Sequence, residues 1–232
     1  MSESQRRNDR YGETSLRVSG APFICLAQDD PQRAKDDISE ALGKWSAQGF
    51  HVQHYYALTG QVSADLYAGD IDEVHRTLCE RWPALRRSLL LRVQLVRTLT
   101  NDLRGRVALA ASLRNVGDKQ ALLREASRAA AQIEAENMPW ARPMAILLRA
   151  GVQAARGDTG EPIVALLRDA LQGFQASDMG LHAACVRFWL GKVSGGDEGR
   201  ALEDSARSWM EAQCIKNPER MAILLAPALA PK

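Results

Sequence analysis

The feature that most constrains this chain is a Gly-Asp dipeptide that recurs between amphipathic segments. Glycine can take the left-handed conformation that ends a helix, and aspartate can then cap the next helix by accepting a backbone N–H. The recurrence of this dipeptide therefore predicts a series of helical hairpins, each made of two helices and a short turn. The four copies lie about 40 to 50 residues apart, at Gly69-Asp70, Gly117-Asp118, Gly157-Asp158 and Gly196-Asp197.

Apolar residues recur at helical spacing on both sides of these dipeptides, and no window alternates with a period of two. Pro83 is predicted to open a helix, because a first helical turn tolerates proline. The fold class that we predict is all-α, an α-solenoid of tetratricopeptide-like helical hairpins with about ten or eleven helices. The predicted helices cover 11–27, 31–47, 50–68, 70–81, 83–103, 118–136, 139–156, 161–176, 180–193, 199–213 and 218–225, and the fifth either breaks at Arg104-Gly105 or continues past it.

The predicted organisation is a disordered N-terminal arm over 1–10, a helical-repeat domain over 11–227 and a C-terminal tail over 228–232. The start of the chain is polar and lacks the apolar core of a signal peptide. No run of apolar residues is long enough to span a membrane. Four cysteines without CxxC spacing favour free thiols in a reducing compartment. We therefore expect a cytoplasmic location and no membrane partner.

Several segments of the chain carry a resemblance to a known family. They read GFHVQHYY at 49–56, RWPAL at 81–85, LLLR at 89–92, WM at 209–210 and IKNPERMA at 215–222. These segments resemble the C-terminal tetratricopeptide-like helical region of large multidomain bacterial serine/threonine protein kinases. The resemblance implies a regulatory or substrate-docking tail in a kinase signalling system.

The catalytic motifs of such kinases are missing from the sequence. There is no glycine-rich ATP loop, no His-Arg-Asp catalytic loop, no Asp-Phe-Gly and no Walker motif. We therefore predict that the chain is not an enzyme, and that it has no catalytic residue, no cofactor and no metal.

The densest group of polar and aromatic side chains is His51, His54, Tyr55 and Tyr56. Histidines three positions apart share one face of a helix. One hypothesis makes His51, His54 and Tyr55 a partner-binding patch. The others are an ordinary helix-hairpin interface, or half of a metal site in a hidden enzyme, for which no third ligand is evident.

The segment 76–124 is locally basic, with ten arginines and Lys119 against three acidic residues. On one continuous helix, Arg86, Arg97 and Arg104 would lie nearly on a line. The predicted stripe would face a groove that binds an acidic or phosphorylated peptide. The alternatives are a solvated face paired with neighbouring acids, and a surface for a nucleic-acid backbone.

We therefore predict a protein–protein interaction module. The alternative is a nucleic-acid-binding helical repeat that uses 76–124, which needs a tryptophan on the same exposed surface as the arginines. Nucleic acid is the less favoured partner. No capping segment precedes the helix 11–27, so we expect it to expose apolar surface for self-association or for an upstream domain.

Overall fold

The structure is a computed structural model that describes residues 10–114 and 116–229. Within this part of the chain there are twelve α-helices, two short 3₁₀ helices and no strand. The predicted all-α class is confirmed. The chain forms two compact units, Met1–Arg97 and Thr98–Lys232, where the sequence predicts a single domain over 11–227.

The helices are numbered here in chain order. The N-terminal unit contains α1 (Arg10–Ser19), α2 (Ala21–Ala27), α3 (Pro31–Gly43), α4 (Val52–Ala68), α5 (Ile71–Arg87) and a 3₁₀ helix, Leu90–Arg92. The boundary between the units falls within α6 (Gln94–Leu113). The C-terminal unit continues with α7 (Lys119–Ala135), α8 (Arg142–Arg156), α9 (Glu161–Ala176), α10 (Gly180–Ser194), α11 (Gly196–Ala212), α12 (Pro218–Leu225) and a 3₁₀ helix, Pro227–Leu229.

Helix α4 is the centre of the N-terminal unit. Helices α1, α2, α3 and α5 all pack against it, and it has buried residues on every face. The Asp65 carboxylate is fully buried and forms an ion pair with Lys35 of α3, whose Nζ lies 2.5 Å from Asp65 Oδ1 and 2.9 Å from Asp70 Oδ2. Gln61 Nε2 donates to Asp65 Oδ2 at 3.0 Å. A buried charge is tolerated only when it is paired, so this network fixes α3 against α4.

In the C-terminal unit, helices α7 to α11 each pack against their neighbours in sequence, and α12 packs against α10. Two buried side chains donate to carbonyl groups of α12. Trp189 Nε1 donates to Ala222 O, and Arg106 donates to Leu224 O, each at 3.0 Å. Arg106 also forms a buried ion pair with Asp102 at 2.8 Å. Leu224 O lies in the last turn of α12, where carbonyl groups lack partners within the helix, whereas Ala222 O also accepts from the Ala226 backbone N–H. Both donors stabilise the docked position of α12.

The predicted helix over 83–103 is wrong. Helix α5 continues through Pro83, a 3₁₀ helix follows at Leu90–Arg92, and α6 then begins. Leu89 and Val93, which lie between the end of α5 and the start of α6, are 60% and 52% exposed. Proline removes one backbone hydrogen bond, and here the surrounding turns of α5 accommodate that loss at an exposed position.

The predicted single helix over 11–27 is divided in two. It breaks at Gly20, and Pro22 lies in the first turn of the new helix α2. A proline at that position has no intrahelical bond to lose, so it favours a new start over a continuous helix.

The predicted arm over 1–10 and tail over 228–232 lie largely outside the described residues. Helix α1 already begins at Arg10. Ala228 and Leu229 are buried, so the fold includes them and the tail prediction is wrong for these two residues.

The predicted left-handed conformation is confirmed at all four glycines, whereas the predicted helix cap is found at one of the four aspartates. All four glycines of the Gly-Asp dipeptides have positive φ, between 64° and 100°. Asp118 caps α7 by accepting from the backbone N–H of Gln120 at 2.9 Å. Asp70 precedes α5 without a side-chain cap and pairs with Lys35 instead. Gly69 and Gly157 end α4 and α8 in the left-handed conformation, whereas Gly196 is the first residue of α11. Water can satisfy a helix N–H that no aspartate caps.

The close contact between α10 and α11 predicts that one added methyl group lowers the stability of the fold. A Cβ on Gly199 of α11 would lie 2.5 Å from the backbone oxygen of Gly191 of α10, and backbone cannot move aside easily. We expect Gly199→Ala to lower the free energy of unfolding by about 1–3 kcal/mol. The measurement is urea unfolding followed by circular dichroism. Ser205→Ala, an exposed change on the same helix, should leave stability unchanged or raise it slightly; equal effects would contradict the close contact.

Candidate functional site

The candidate site is a groove in the N-terminal unit. Helices α3 and α5 both pack against α4, and the groove lies between them with α4 as its floor. It contains two cavities of about 520 Å³ and 330 Å³. Cavities of this size suit a side chain or a small ligand. The two adjoin, because both are lined by Leu42, Phe50, His54 and Arg81.

Each element contributes one face to the groove. Residues three, four or seven positions apart share a face of a helix, and the lining residues follow this spacing. Helix α3 supplies Ile38, Ser39 and Leu42, and α4 supplies His54, Ala57, Leu58 and Gln61. The loop before α4 supplies Trp45, Ser46, Ala47, Gly49 and Phe50. Helix α5 and the residue after it supply Glu73, Arg76, Thr77, Glu80, Arg81, Ala84, Arg87 and Ser88.

The larger cavity, here called the arginine cavity, is lined by Arg81 and Arg87 together with the aromatic rings of Trp45 and Phe50. Both arginines are exposed, and among the described residues no acidic side chain lies within ion-pair distance of either. The indole N–H of Trp45 is buried without an acceptor in the same part of the chain. The cavity therefore offers cations without acidic partners beside apolar surface.

The smaller cavity, here called the aliphatic cavity, has a different lining. Ile38, Ala57 and Leu58 are buried at its base. Glu73, Arg76 and Glu80 pair with one another, and Arg81 lies in the wall shared with the arginine cavity. Away from that wall, the aliphatic cavity offers apolar surface beside charges that are already paired.

His54 lies between the two cavities and also organises the start of α4. Its Nδ1 accepts the backbone N–H of His51 at 3.1 Å, one of the donors that a helix start leaves unpaired. Burial lowers the pKa of His54, repulsion from His51 and Arg81 adds to that effect, and a hydrogen bond to the Ser46 backbone opposes it. His54 is therefore neutral at neutral pH, with its proton on Nε2.

The predicted histidine and tyrosine patch is only partly at the surface. His54 lines both cavities. His51 is exposed, and its ring packs edge-on against Trp45 with centroids 6.2 Å apart. Tyr55 is only 3% exposed, so its assignment to a partner-binding patch is corrected. Successive residues of a helix point about 100° apart, and α4 is enclosed on the side where Tyr55 lies.

The predicted arginine stripe does not form, because the helix that would carry it is broken. Arg86 lies exposed on α5. Arg97 lies on α6, and its guanidinium donates to Leu91 O at 2.9 Å. Arg104 is half-buried in the C-terminal unit and pairs with Glu125 at 2.7 Å. Of the three, Arg86 is the one that presents an exposed guanidinium.

Sequence reasoning missed Arg81 and Arg87, the two arginines that line the cavity. The signal was present, since Thr77, Arg81, Ala84 and Arg87 recur at helical spacing. It was hidden by the expectation that Pro83 starts a helix.

Arginines of the basic segment 76–124 differ in whether an acidic side chain pairs with them. Four of its arginines pair with acidic side chains, namely Arg76, Arg104, Arg106 and Arg124. A second group in the N-terminal unit is exposed and has no acidic partner among the described residues; this arginine patch comprises Arg81, Arg86, Arg87 and Arg92. The last turn of α5 holds Arg86 and Arg87, where the helix dipole favours positive charge.

The N-terminal helices expose apolar surface, as the sequence predicts. Leu16, Phe23 and Ile24 are 53%, 46% and 67% exposed, and Tyr11 is 60% exposed. Self-association or contact with an upstream domain through this surface stays a prediction.

Within the described residues, no three His, Cys, Asp or Glu side chains are grouped closely enough to hold a metal ion. No helix in this part of the chain has the length and apolar character needed to cross a membrane. No protein-family model, curated protein or solved structure matches the chain. The resemblance to kinase-associated helical tails therefore stays a prediction.

The lowered pKa of His54 predicts a pH dependence. The folded protein holds the proton on this ring more weakly than the unfolded chain does, so protonation favours unfolding. The contribution of His54 to stability is present above about pH 6.5 and is lost as the pH falls through the folded pKa. An NMR titration of the imidazole should give a midpoint below about 6.5.

The control for this pH dependence of stability is His54→Asn, whose amide oxygen can still accept from the His51 backbone N–H. This variant should reduce the loss of stability of the N-terminal unit on acidification. His182 acts in the same direction in the C-terminal unit, because burial lowers its pKa to about 4. A midpoint for His54 at or above the ordinary value would contradict the burial of its ring.

Proposed function

We propose that the chain is a protein-interaction module whose N-terminal unit binds an acidic segment of a partner in the groove between α3 and α5. The observation that carries the proposal is the pair Arg81 and Arg87, which line a cavity of about 520 Å³ without any acidic partner among the described residues. The unpaired guanidinium groups make an acid the complementary ligand.

Arginine suits this role because its planar guanidinium binds a carboxylate or a phosphate through two parallel hydrogen bonds. A single exposed ion pair contributes only about 0–1 kcal/mol. Trp45 and Phe50 supply apolar surface beside the cations, and its burial by a ligand adds to the affinity. The neighbouring Arg86 and Arg92 add positive potential that steers an acidic segment toward the groove.

The shape of the site supports a peptide over a compact ligand. The two adjoining cavities follow the line of α5 for more than three turns, from Glu73 to Ser88. An extended segment can place successive side chains along such a line. As part of the same proposal, the resemblance to the helical tails of bacterial serine/threonine kinases assigns this module a regulatory or substrate-docking role in kinase signalling.

A nucleic-acid-binding repeat has less support. Stacking of bases needs an aromatic ring exposed among the cations. Trp189 is fully buried, and the described tryptophans are all at least partly buried. Several cations of the segment 76–124 are already neutralised by acids, Arg104 and Arg106 among them.

The proposal predicts that charge removal in the cavity weakens peptide binding. The probe is a fluorescein-labelled short peptide with glutamates on both sides of a leucine, measured by anisotropy. We expect Arg81→Gln with Arg87→Gln to weaken binding by roughly tenfold or more, a change of about 1.4 kcal/mol. Binding to the unchanged protein should also weaken with added salt, because ions screen exposed charges.

The control is Arg33→Gln, which makes the same Arg-to-Gln change once, at an exposed position on α3 outside both cavities. It should leave the affinity unchanged. Equal losses in Arg33→Gln and in the double variant would contradict a specific site. Tighter binding of a single-stranded oligonucleotide than of the peptide would favour the nucleic-acid alternative instead.

A further inference from the structure

The two cavities of the groove differ in whether their charged groups are already paired. In the arginine cavity, Arg81 and Arg87 have no acidic partner among the described residues. In the aliphatic cavity, Arg76 lies between two acids, 2.6 Å from Glu73 and 3.2 Å from Glu80. The same groove therefore presents available charge at one end and neutralised charge at the other.

Two further polar side chains of the aliphatic cavity also have partners. Thr77 Oγ1 donates to Glu73 Oε1 at 3.3 Å. Gln61 Nε2 donates to the buried Asp65 at 3.0 Å. Away from Arg81 in the shared wall, a charged ligand group would have to displace one of these partners, and a polar group buried without a partner is costly. An apolar group needs no partner and gains from leaving water.

The base of the aliphatic cavity matches such an apolar group. Ile38, Ala57 and Leu58 are 3%, 2% and 6% exposed, and Leu42 and Phe50 complete the lining. Each of these side chains is packed on its inner side. A hydrocarbon side chain inserted from the groove would cover their outer side without disturbing the core.

We infer that the groove recognises two side chains of one extended segment, an acidic residue in the arginine cavity and a large aliphatic or aromatic residue in the aliphatic cavity. This inference rests on the proposed function and specifies the partner's sequence. The cavities share Leu42, Phe50, His54 and Arg81, so the two side chains lie close together in the segment. Successive side chains of an extended chain point to opposite faces, so the two that enter the groove are two positions apart, at a separation of about 7 Å along the chain.

The shared wall separates the two environments. The ring of Phe50 packs on that of His54 with centroids 5.6 Å apart. Both rings line both cavities, so an aromatic partition stands between the acidic and the apolar position. Arg87 reinforces this order, because it lines the arginine cavity alone and favours an acid on that side.

The first test uses peptide variants with the unchanged protein. The parent is the labelled peptide with glutamate and leucine at the central positions. Replacement of the leucine with alanine should weaken binding roughly tenfold, since the aliphatic side chain no longer leaves water. Replacement of the glutamates with glutamine should weaken it by a similar factor.

The second test blocks the aliphatic cavity. Ser39 lies exposed at its edge on α3, so Ser39→Phe fills the cavity without removing a core residue. The parent peptide should then bind as weakly as the alanine peptide, whose own affinity should not change. Gln32→Phe, on the same helix outside both cavities, should bind both peptides as the unchanged protein does. Circular dichroism checks the fold, and Thr77→Phe fills the cavity from α5 if Ser39→Phe does not fold.

The outcomes separate this inference from the proposed function. If the glutamine peptide binds weakly and the alanine peptide binds like the parent, the apolar position is wrong and the acidic groove stands. Equal losses for the parent and alanine peptides in Ser39→Phe would also overturn the inference. If neither the parent nor any acidic variant binds, the proposed function fails and the inference fails with it.

Discussion

The structure of the N-terminal unit depends on the enclosure of α4, which has buried residues on all of its faces. A helix in that position must satisfy its polar side chains from its neighbours, because burial without a partner is costly. Asp65 pairs with Lys35 of α3, and Tyr67 donates to Asp29 in the turn before α3 at 2.8 Å. These contacts hold α3 on one side of α4, while α5 packs on another. The groove is the space that remains between them.

The charge distribution along α5 decides how that space can be used. Near the start of α5, Glu73 and Glu80 neutralise Arg76, and the acids of the first turn also suit the positive end of the helix dipole. At the end, the dipole favours Arg87, and both Arg81 and Arg87 are exposed to water, so they need no acidic partner in the fold. A change from paired to unpaired charge along one helix face therefore gives an apolar region next to a cationic region.

Much of the fold could be predicted from the sequence, because glycines that end helices and apolar periodicity are local signals. The glycines of the Gly-Asp dipeptides adopt positive φ as expected, and the helix Pro218–Leu225 was predicted with its observed bounds. The site was harder to predict, because it depends on which helix faces meet. His54 was identified from its local cluster, whereas Tyr55 was misplaced because burial of α4 on all faces is a tertiary property. The arginines were misassigned because one local rule, proline at a helix start, failed at Pro83.

The most direct test of the groove is its position on the chain when an acidic peptide is bound. Backbone amide NMR spectra of the full chain, recorded during titration with the labelled glutamate and leucine peptide, give that position residue by residue. We expect the largest shift changes at 42–50, at His54 and along 77–88, with small changes in the C-terminal unit. Changes concentrated in α7 to α12, or saturable binding that leaves 77–88 unperturbed, would contradict the assignment of the groove as the binding site.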